Sequence, residues 1–270
     1  MFLTFLFIIG LALGSFLNVV ALRLNTGENL RGRSRCFSCL RKLGWSDLVP
    51  LASFVAIRGR CRTCGSKISF QYPAVELAAA LLTAGTGYMM FGFGVPQDLT
   101  RVAQYVLAVT FLLTLLTASV YDLRHKIIPD QLSLLLFVSA ILLEGAIVWQ
   151  QYPSYVNDGF LLYDIAAGVG AFIFFAGIWF ISKGAWMGFG DAKIAISIGL
   201  FLGFPNIVFA LLAAFWSGAI IGIILLATKT LGRKSEIPFA PFLALGTYIV
   251  FFFINSPFAG WLSSIFIPIF

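Results

Sequence analysis

The feature that most limits what this chain can become is a succession of apolar runs, each about as long as a bilayer is thick. A spanning helix takes roughly 20 mostly apolar residues. Runs of that kind cover residues 2–22, 72–92, 102–121, 129–149, 160–182, 206–227 and 238–254, and a shorter one covers 190–203. Between the last three, Gly203-Phe204-Pro205-Asn206 reads as a turn that separates two helices. Composition agrees: 60% of the 270 residues are hydrophobic and 11% charged, against about 25% charged in a soluble domain. The expectation is an all-α polytopic membrane protein of about eight transmembrane helices. The first run carries no charge and its basic residues follow rather than precede it, so it reads as a retained helix and not a cleaved signal. The apolar tail 257–270 is too short to span.

Orientation follows from Lys and Arg, which collect on the cytoplasmic side. With eight spans, the loops after the odd-numbered helices share one face. Those loops hold every Lys and Arg except Arg101: ten between Arg23 and Lys67, then Arg124, Lys126, Lys183, Lys193, Lys229, Arg233 and Lys234. The net charge of +7 is thus explained by membrane topology, and no nucleic-acid partner is expected. The expected division is a first helix (1–22), a cytoplasmic insert (23–71) and a membrane bundle (72–270).

All four cysteines lie in the insert, as Cys36-Phe37-Ser38-Cys39 and Cys61-Arg62-Thr63-Cys64. Two C-x-x-C pairs at this separation read as a four-thiolate zinc site. The alternative, two disulfides, is disfavoured in a reducing cytoplasm. Four thiolates leave no open coordination position, so the zinc is structural, a staple for a segment too small to build a core. Pro73 suits the first position of the next helix, and Glu76 its first turn, where a carboxylate compensates the helix dipole.

Two aspartates lie where apolar runs meet the cytoplasmic face. One is Asp191, in Met187-Gly188-Phe189-Gly190-Asp191-Ala192-Lys193; the other is Asp122, in Val120-Tyr121-Asp122-Leu123-Arg124-His125-Lys126. A charge at such a depth is costly and marks a functional site. Two carboxylates close enough to share a proton can hydrolyse a peptide bond, one as acid and one as base. Asp130, after Pro129, is explained by the start of a helix, His125 by a solvated loop, and Lys193 by steadying Asp191 or snorkelling. Glu144 and Asp164 fall near the other face. Intramembrane carboxylates also suit a proton-coupled transporter, and an assembly factor with a zinc platform is a non-enzymatic alternative.

These segments, in this order, resemble the bacterial type IV prepilin peptidases. The matching stretches are Gly14-Ser15-Phe16-Leu17-Asn18 with Arg23-Leu24; the two C-x-x-C pairs; Tyr72-Pro73 and Glu76; Asp122 through Pro129-Asp130; Gly188-Phe189-Gly190-Asp191; and Ile237-Pro238-Phe239-Ala240-Pro241-Phe242-Leu243-Ala244. Phe37 departs from the Pro usual after the first cysteine, and Ser46-Asp47-Leu48-Val49-Pro50 matches only loosely. The resemblance implies an inner-membrane aspartic peptidase with Asp122 and Asp191 as its catalytic pair, facing the cytoplasm. It implies substrates that are precursors of type IV pilins or type II secretion pseudopilins, cut after Gly at the end of a basic leader. It further implies N-methylation of the new N-terminus with S-adenosylmethionine as donor. A presenilin-type G-x-G-D protease would lack the C-x-x-C insert.

Overall fold

The computed structural model describes residues 1–27, 29, 32–96, 98–228 and 237–254. Lys229, Arg233, Lys234, Arg31 and the 257–270 tail lie outside the described residues. Among the described residues there is no β-strand, only two isolated bridges. Each of the eight expected spans is a helix. Six of these helices are long and apolar enough to cross a membrane, which makes this a multi-pass membrane protein. The chain divides into two compact units, Met1–Val95 and Pro96–Phe270.

The first unit contains α1 (Phe2–Arg23), α2 (Ala52–Ala56) and α3 (Gln71–Phe91), with a single 3-10 turn at Trp45–Asp47. α1 and α3 meet through small residues. A Cβ on Gly10 would lie 2.5 Å from Ala80 Cα, and one on Gly14 would lie 2.6 Å from Glu76 Cα. Close backbone approach through glycine is how helices pack where lipid offers no hydrophobic drive. At the same interface Asn18 is 1% exposed. Its amide donates to the Gly14 and Tyr72 carbonyls, both at 3.2 Å, and its oxygen accepts from Gln71 at 3.3 Å. The Gly14-to-Asn18 stretch is therefore a packing motif within this unit.

α3 begins two residues earlier than its proline suggests. Pro73 is the third helical residue, still inside the first turn where its missing N–H costs no ladder bond. Glu76 consequently lies in the second turn. It does not compensate the dipole of α3 but accepts the Leu51 N–H at 2.8 Å. That bond ties the insert to α3 at a residue whose φ is +57°.

The second unit contains α4 (Leu99–His125), α5 (Asp130–Gln151), α6 (Ser154–Asn157), α7 (Phe160–Ser182), α8 (Phe189–Leu202), α9 (Asn206–Ala227) and α10 (Ala240–Ile254). α8 packs against α5, α7, α9 and α10. Beyond its first turn and Lys193 it is mostly apolar because it is largely enclosed; Ile194, Ala195, Ile198 and Phe201 are at most 2% exposed. Phe201 stacks on Phe111 of α4 with ring centroids 4.1 Å apart. Gly199 lies against α7, where an added Cβ would come 2.6 Å from Gly168 Cα. At 14 residues α8 rises about 21 Å, short of the roughly 30 Å hydrocarbon core. Its ends are set by glycines: Gly188 precedes it, and Gly203 at φ +68° ends it at the expected turn.

Candidate active site

α4 extends beyond the apolar run that announces it. Asp122 falls inside the helix, and the chain leaves it only at Lys126, which is left-handed (φ +54°) and returns its N–H to the Asp122 carbonyl at 2.8 Å. The Asp122 side chain is 5% exposed. Its Oδ2 accepts the Ala240 N–H at 3.2 Å. Ala240 is the first residue of α10, where backbone N–H groups have no partner within their own helix. Asp122 thus occupies the positive end of the α10 dipole. One turn earlier, Ser119 Oγ reaches the Ala240 carbonyl at 3.3 Å, fixing the same junction.

Asp191 is the third residue of α8, so it sits at the N-terminus of its own helix. It is 6% exposed, and its Oδ1 is buried without a hydrogen-bond partner among the described residues. It lies within electrostatic reach of Asp122. Gly190 makes this approach sterically allowed. A Cβ there would stand 2.9 Å from Ile128 Cβ, in the short link that follows Asp122. That neighbour is the branched root of a side chain and cannot swing aside. The second glycine of the G-x-G-D stretch therefore lets the start of α8 press on the α4–α5 link.

Lys193 does not reach for Asp191. Its ammonium pairs with Asp130 at 2.6 Å and lies 5.5 Å from the centre of the Phe189 ring. Asp130, the first residue of α5 and 81% exposed at its side chain, thus serves as a clasp between the starts of α5 and α8. His125 is exposed and lies tilted against Tyr121, with ring centroids 4.3 Å apart and ring planes at 32°. Glu144 and Asp164 come together elsewhere in the unit, bridged by Tyr155, whose hydroxyl donates to Asp164.

In the first unit the four cysteine sulfurs all lie within 4.8 Å of one another. Cys36 and Cys64 are 3.8 Å apart and Cys39 and Cys61 are 4.0 Å apart. A tetrahedral ion with bonds of about 2.3 Å to sulfur has edges of about 3.8 Å, so the donor set fits zinc. The two knuckles repeat one geometry. Bridges pair Arg35 with Lys42 and Arg60 with Lys67. The N–H of the residue after the second cysteine returns to the first cysteine's carbonyl at 2.9 Å in both, from Leu40 and from Gly65. Those residues have φ of +57° and +69°. Backbone N–H groups of Cys39 and Ser38 lower the Cys36 thiol to about 6. The Arg41 N–H favours the Cys39 thiolate, but burial and the other three thiols outweigh it and push Cys39 up to about 11. Four thiolates in this space call for a cation.

Sequence reasoning misses the Ala240 donor, the Ile128 contact and the Tyr155 bridge. Pro238, just before the start of α10, and Pro241, in its first turn, are the signals that a helix N-terminus is near Ala240.

Residues 8–90 match the model of the Bacterial Peptidase A24 N-terminal domain, and residues 109–223 match that of the Type IV leader peptidase family. The first span holds the four cysteines and the second holds both aspartates. A prepilin leader peptidase/N-methyltransferase of Bacillus subtilis is 32% identical over 255 residues, covering 94% of this chain and 95% of that protein. Proteins of the same name are 33% identical in Myxococcus xanthus, covering 87% of this chain and 67% of that one, and 30% identical in Xanthomonas campestris pv. campestris, covering 94% and 92%. No solved structure matches the chain. Two matched domains in order, and similarity along nearly the whole length, establish that this chain belongs to the type IV leader peptidase family.

Proposed function

We infer that this protein is a bifunctional prepilin leader peptidase and N-methyltransferase of the bacterial inner membrane, with Asp122 and Asp191 as its catalytic pair at the cytoplasmic face. Family membership supports the activity. The observation that carries the residue assignment is the bare, buried Oδ1 of Asp191, within electrostatic reach of an Asp122 held by a helix N-terminus. A buried carboxylate oxygen with no donor is costly, and an attacking water or a shared proton supplies what it lacks.

The pair works by dividing one proton between two carboxyl groups. The ionised member takes a proton from water as the water oxygen attacks the scissile carbonyl. The protonated member gives its proton to the carbonyl oxygen, forming a neutral tetrahedral diol. Collapse of that diol returns the carbonyl, and the leaving amine takes up a proton from the site. The Ala240 N–H fixes the direction of Asp122. The Gly190 contact fixes how closely Asp191 comes. The substrates are type IV prepilins or type II secretion pseudopilins, cut after Gly at the junction of a basic leader and an apolar helix. A cut at such a junction must be made where helix meets cytoplasm, and the distribution of Lys and Arg supports that orientation for both aspartates.

Cys36, Cys39, Cys61 and Cys64 hold a structural zinc, which would cross-link a segment too small to bury a core. S-adenosylmethionine is the methyl donor by family membership. The described residues offer no strand–turn–helix cradle for it, and no residue is assigned to the transfer.

The test is cleavage of a synthetic leader-bearing peptide by purified protein, followed by mass spectrometry. Release of the leader after Gly by the native protein, and its loss in Asp122→Asn and Asp191→Asn, is expected. A native protein that is folded yet cuts nothing would favour a transporter or a scaffold.

A further inference from the structure

The sequence between the two cysteine pairs gives Asp47 no role, yet its carboxylate meets two arginines and a backbone N–H. Its side chain is 7% exposed. Arg41 NH2 donates to Oδ2 at 2.6 Å, and the Gly44 N–H reaches the same oxygen at 3.2 Å. Arg62 Nε stands 3.0 Å from Oδ1, an ion pair approached off the N–H axis. The placement of the two arginines is what matters. Arg41 lies two residues after Cys39, and Arg62 lies between Cys61 and Cys64. Each guanidinium therefore belongs to a different knuckle, and Asp47 joins them.

We propose that Asp47 is a positioning residue for the cysteine cluster, holding the two knuckles in ligating register through Arg41 and Arg62 before any metal binds. Within each knuckle, local bonds already fix the shape: the Leu40 and Gly65 N–H groups and the two bridges act inside one C-x-x-C loop. None of those bonds sets the distance from one loop to the other. The four sulfurs nonetheless lie at the spacing of a tetrahedral site. A buried carboxylate between two arginines, one from each loop, supplies that constraint. The Arg41 contact is a charge-assisted bond, short and directional, and the Arg62 contact is an ion pair. Partners one shell beyond a metal's ligands commonly change metal affinity 10–100-fold.

The inference depends on the reading of the four thiolates as a metal site, and the experiment separates the two. Zinc content is measured on the purified full chain, and zinc affinity by competition with a chromophoric chelator. Cobalt(II) substitution then reports the thiolate geometry through its ligand-field spectrum. The native chain should hold one zinc; if it holds none, the metal reading fails before Asp47 is reached. Given a metal-holding native chain, Asp47→Asn should weaken zinc binding about 10–100-fold and broaden the cobalt spectrum, although all four ligands remain. Arg41→Gln and Arg62→Gln should each weaken it less. Neither should add to Asp47→Asn, because all three act through one junction. Asp47→Glu, which keeps the charge, should recover part of the affinity. Native zinc affinity in Asp47→Asn overturns the proposal. Should that variant fail to accumulate, the half-exposed Arg62 decides: an Arg62→Gln chain with native affinity and native cobalt spectrum overturns it equally.

Discussion

Two pairs of carboxylates lie among the described residues of the second unit, three of the four groups buried, and they are finished differently. Asp122 and Asp191 are 5% and 6% exposed; Asp164, of the other pair, is 8% exposed. Glu144, the partner of Asp164, is only half-buried, but the three aspartates are about equally deep, so burial of the aspartates does not tell the pairs apart. Donors do. Asp164 takes a hydroxyl from Tyr155 and the Phe204 N–H, and Tyr155 also bonds Glu144. The α8–α9 turn closes over it so tightly that a Cβ on Gly203 would clash with Asp164 Oδ1. Each pair keeps one bare oxygen, Asp191 Oδ1 and Glu144 Oε2, but only the second pair is joined by a hydroxyl. Tyr155 already gives Asp164 its donor. A pair joined by a tyrosine hydroxyl makes a structural joint, and a pair held only by backbone N–H groups, Ala240 on Asp122 and Gly188 on Asp191, leaves room for chemistry between its members.

The largest expected effect separates the pairs by activity. Asp122→Asn and Asp191→Asn should each lower leader cleavage by about 10³-fold or more, and the double variant should be no worse than the singles, since groups acting as a unit are non-additive. Glu144→Gln and Asp164→Asn should cleave within a few-fold of native protein. A Glu144→Gln protein that folds normally and cuts nothing would break the comparison.

Gly190→Ala comes next. The added methyl meets Ile128 and must push the start of α8 away from the α4–α5 link. A displacement approaching 1 Å costs about 10²-fold in rate. Steady-state cleavage should fall by about that factor while the apparent melting temperature changes little. Unchanged kinetics would mean that the approach of Asp191 does not depend on this glycine.

Tyr155→Phe should give the smallest effect on catalysis and a visible one on stability. It removes the hydroxyl that donates to Asp164 and joins it to Glu144, a loss of about 1–3 kcal/mol. Thermal unfolding in detergent should show a lowered midpoint, with cleavage near native below it. Loss of cleavage without loss of stability would assign the second pair to the reaction.

How these sites form is only partly written in the chain. The sequence by itself determined the helical membrane class, because twenty-residue apolar runs have no other stable state in lipid. It also marked each C-x-x-C loop as a ligand pair, since spacing within a loop is local, and it marked Asp122 and Asp191 as costly charges at the ends of apolar runs. It left open which carboxylates meet and what satisfies them. Lys193, two residues from Asp191, turns instead to Asp130, which is 63 positions away in sequence and adjacent in space. Asp122 is held by Ala240, 118 positions on. Glu76, near the start of α3, takes its partner from the insert. Asp47 draws in one arginine from each cysteine loop. In every case the partner is a backbone N–H or a charged side chain supplied by another segment. A periodic pattern specifies which face of a helix is apolar, but it does not specify which helix end arrives beside it. That is decided by how closely the backbones can approach, at Gly10, Gly14, Gly190 and Gly199, where a single methyl group would keep neighbouring segments apart.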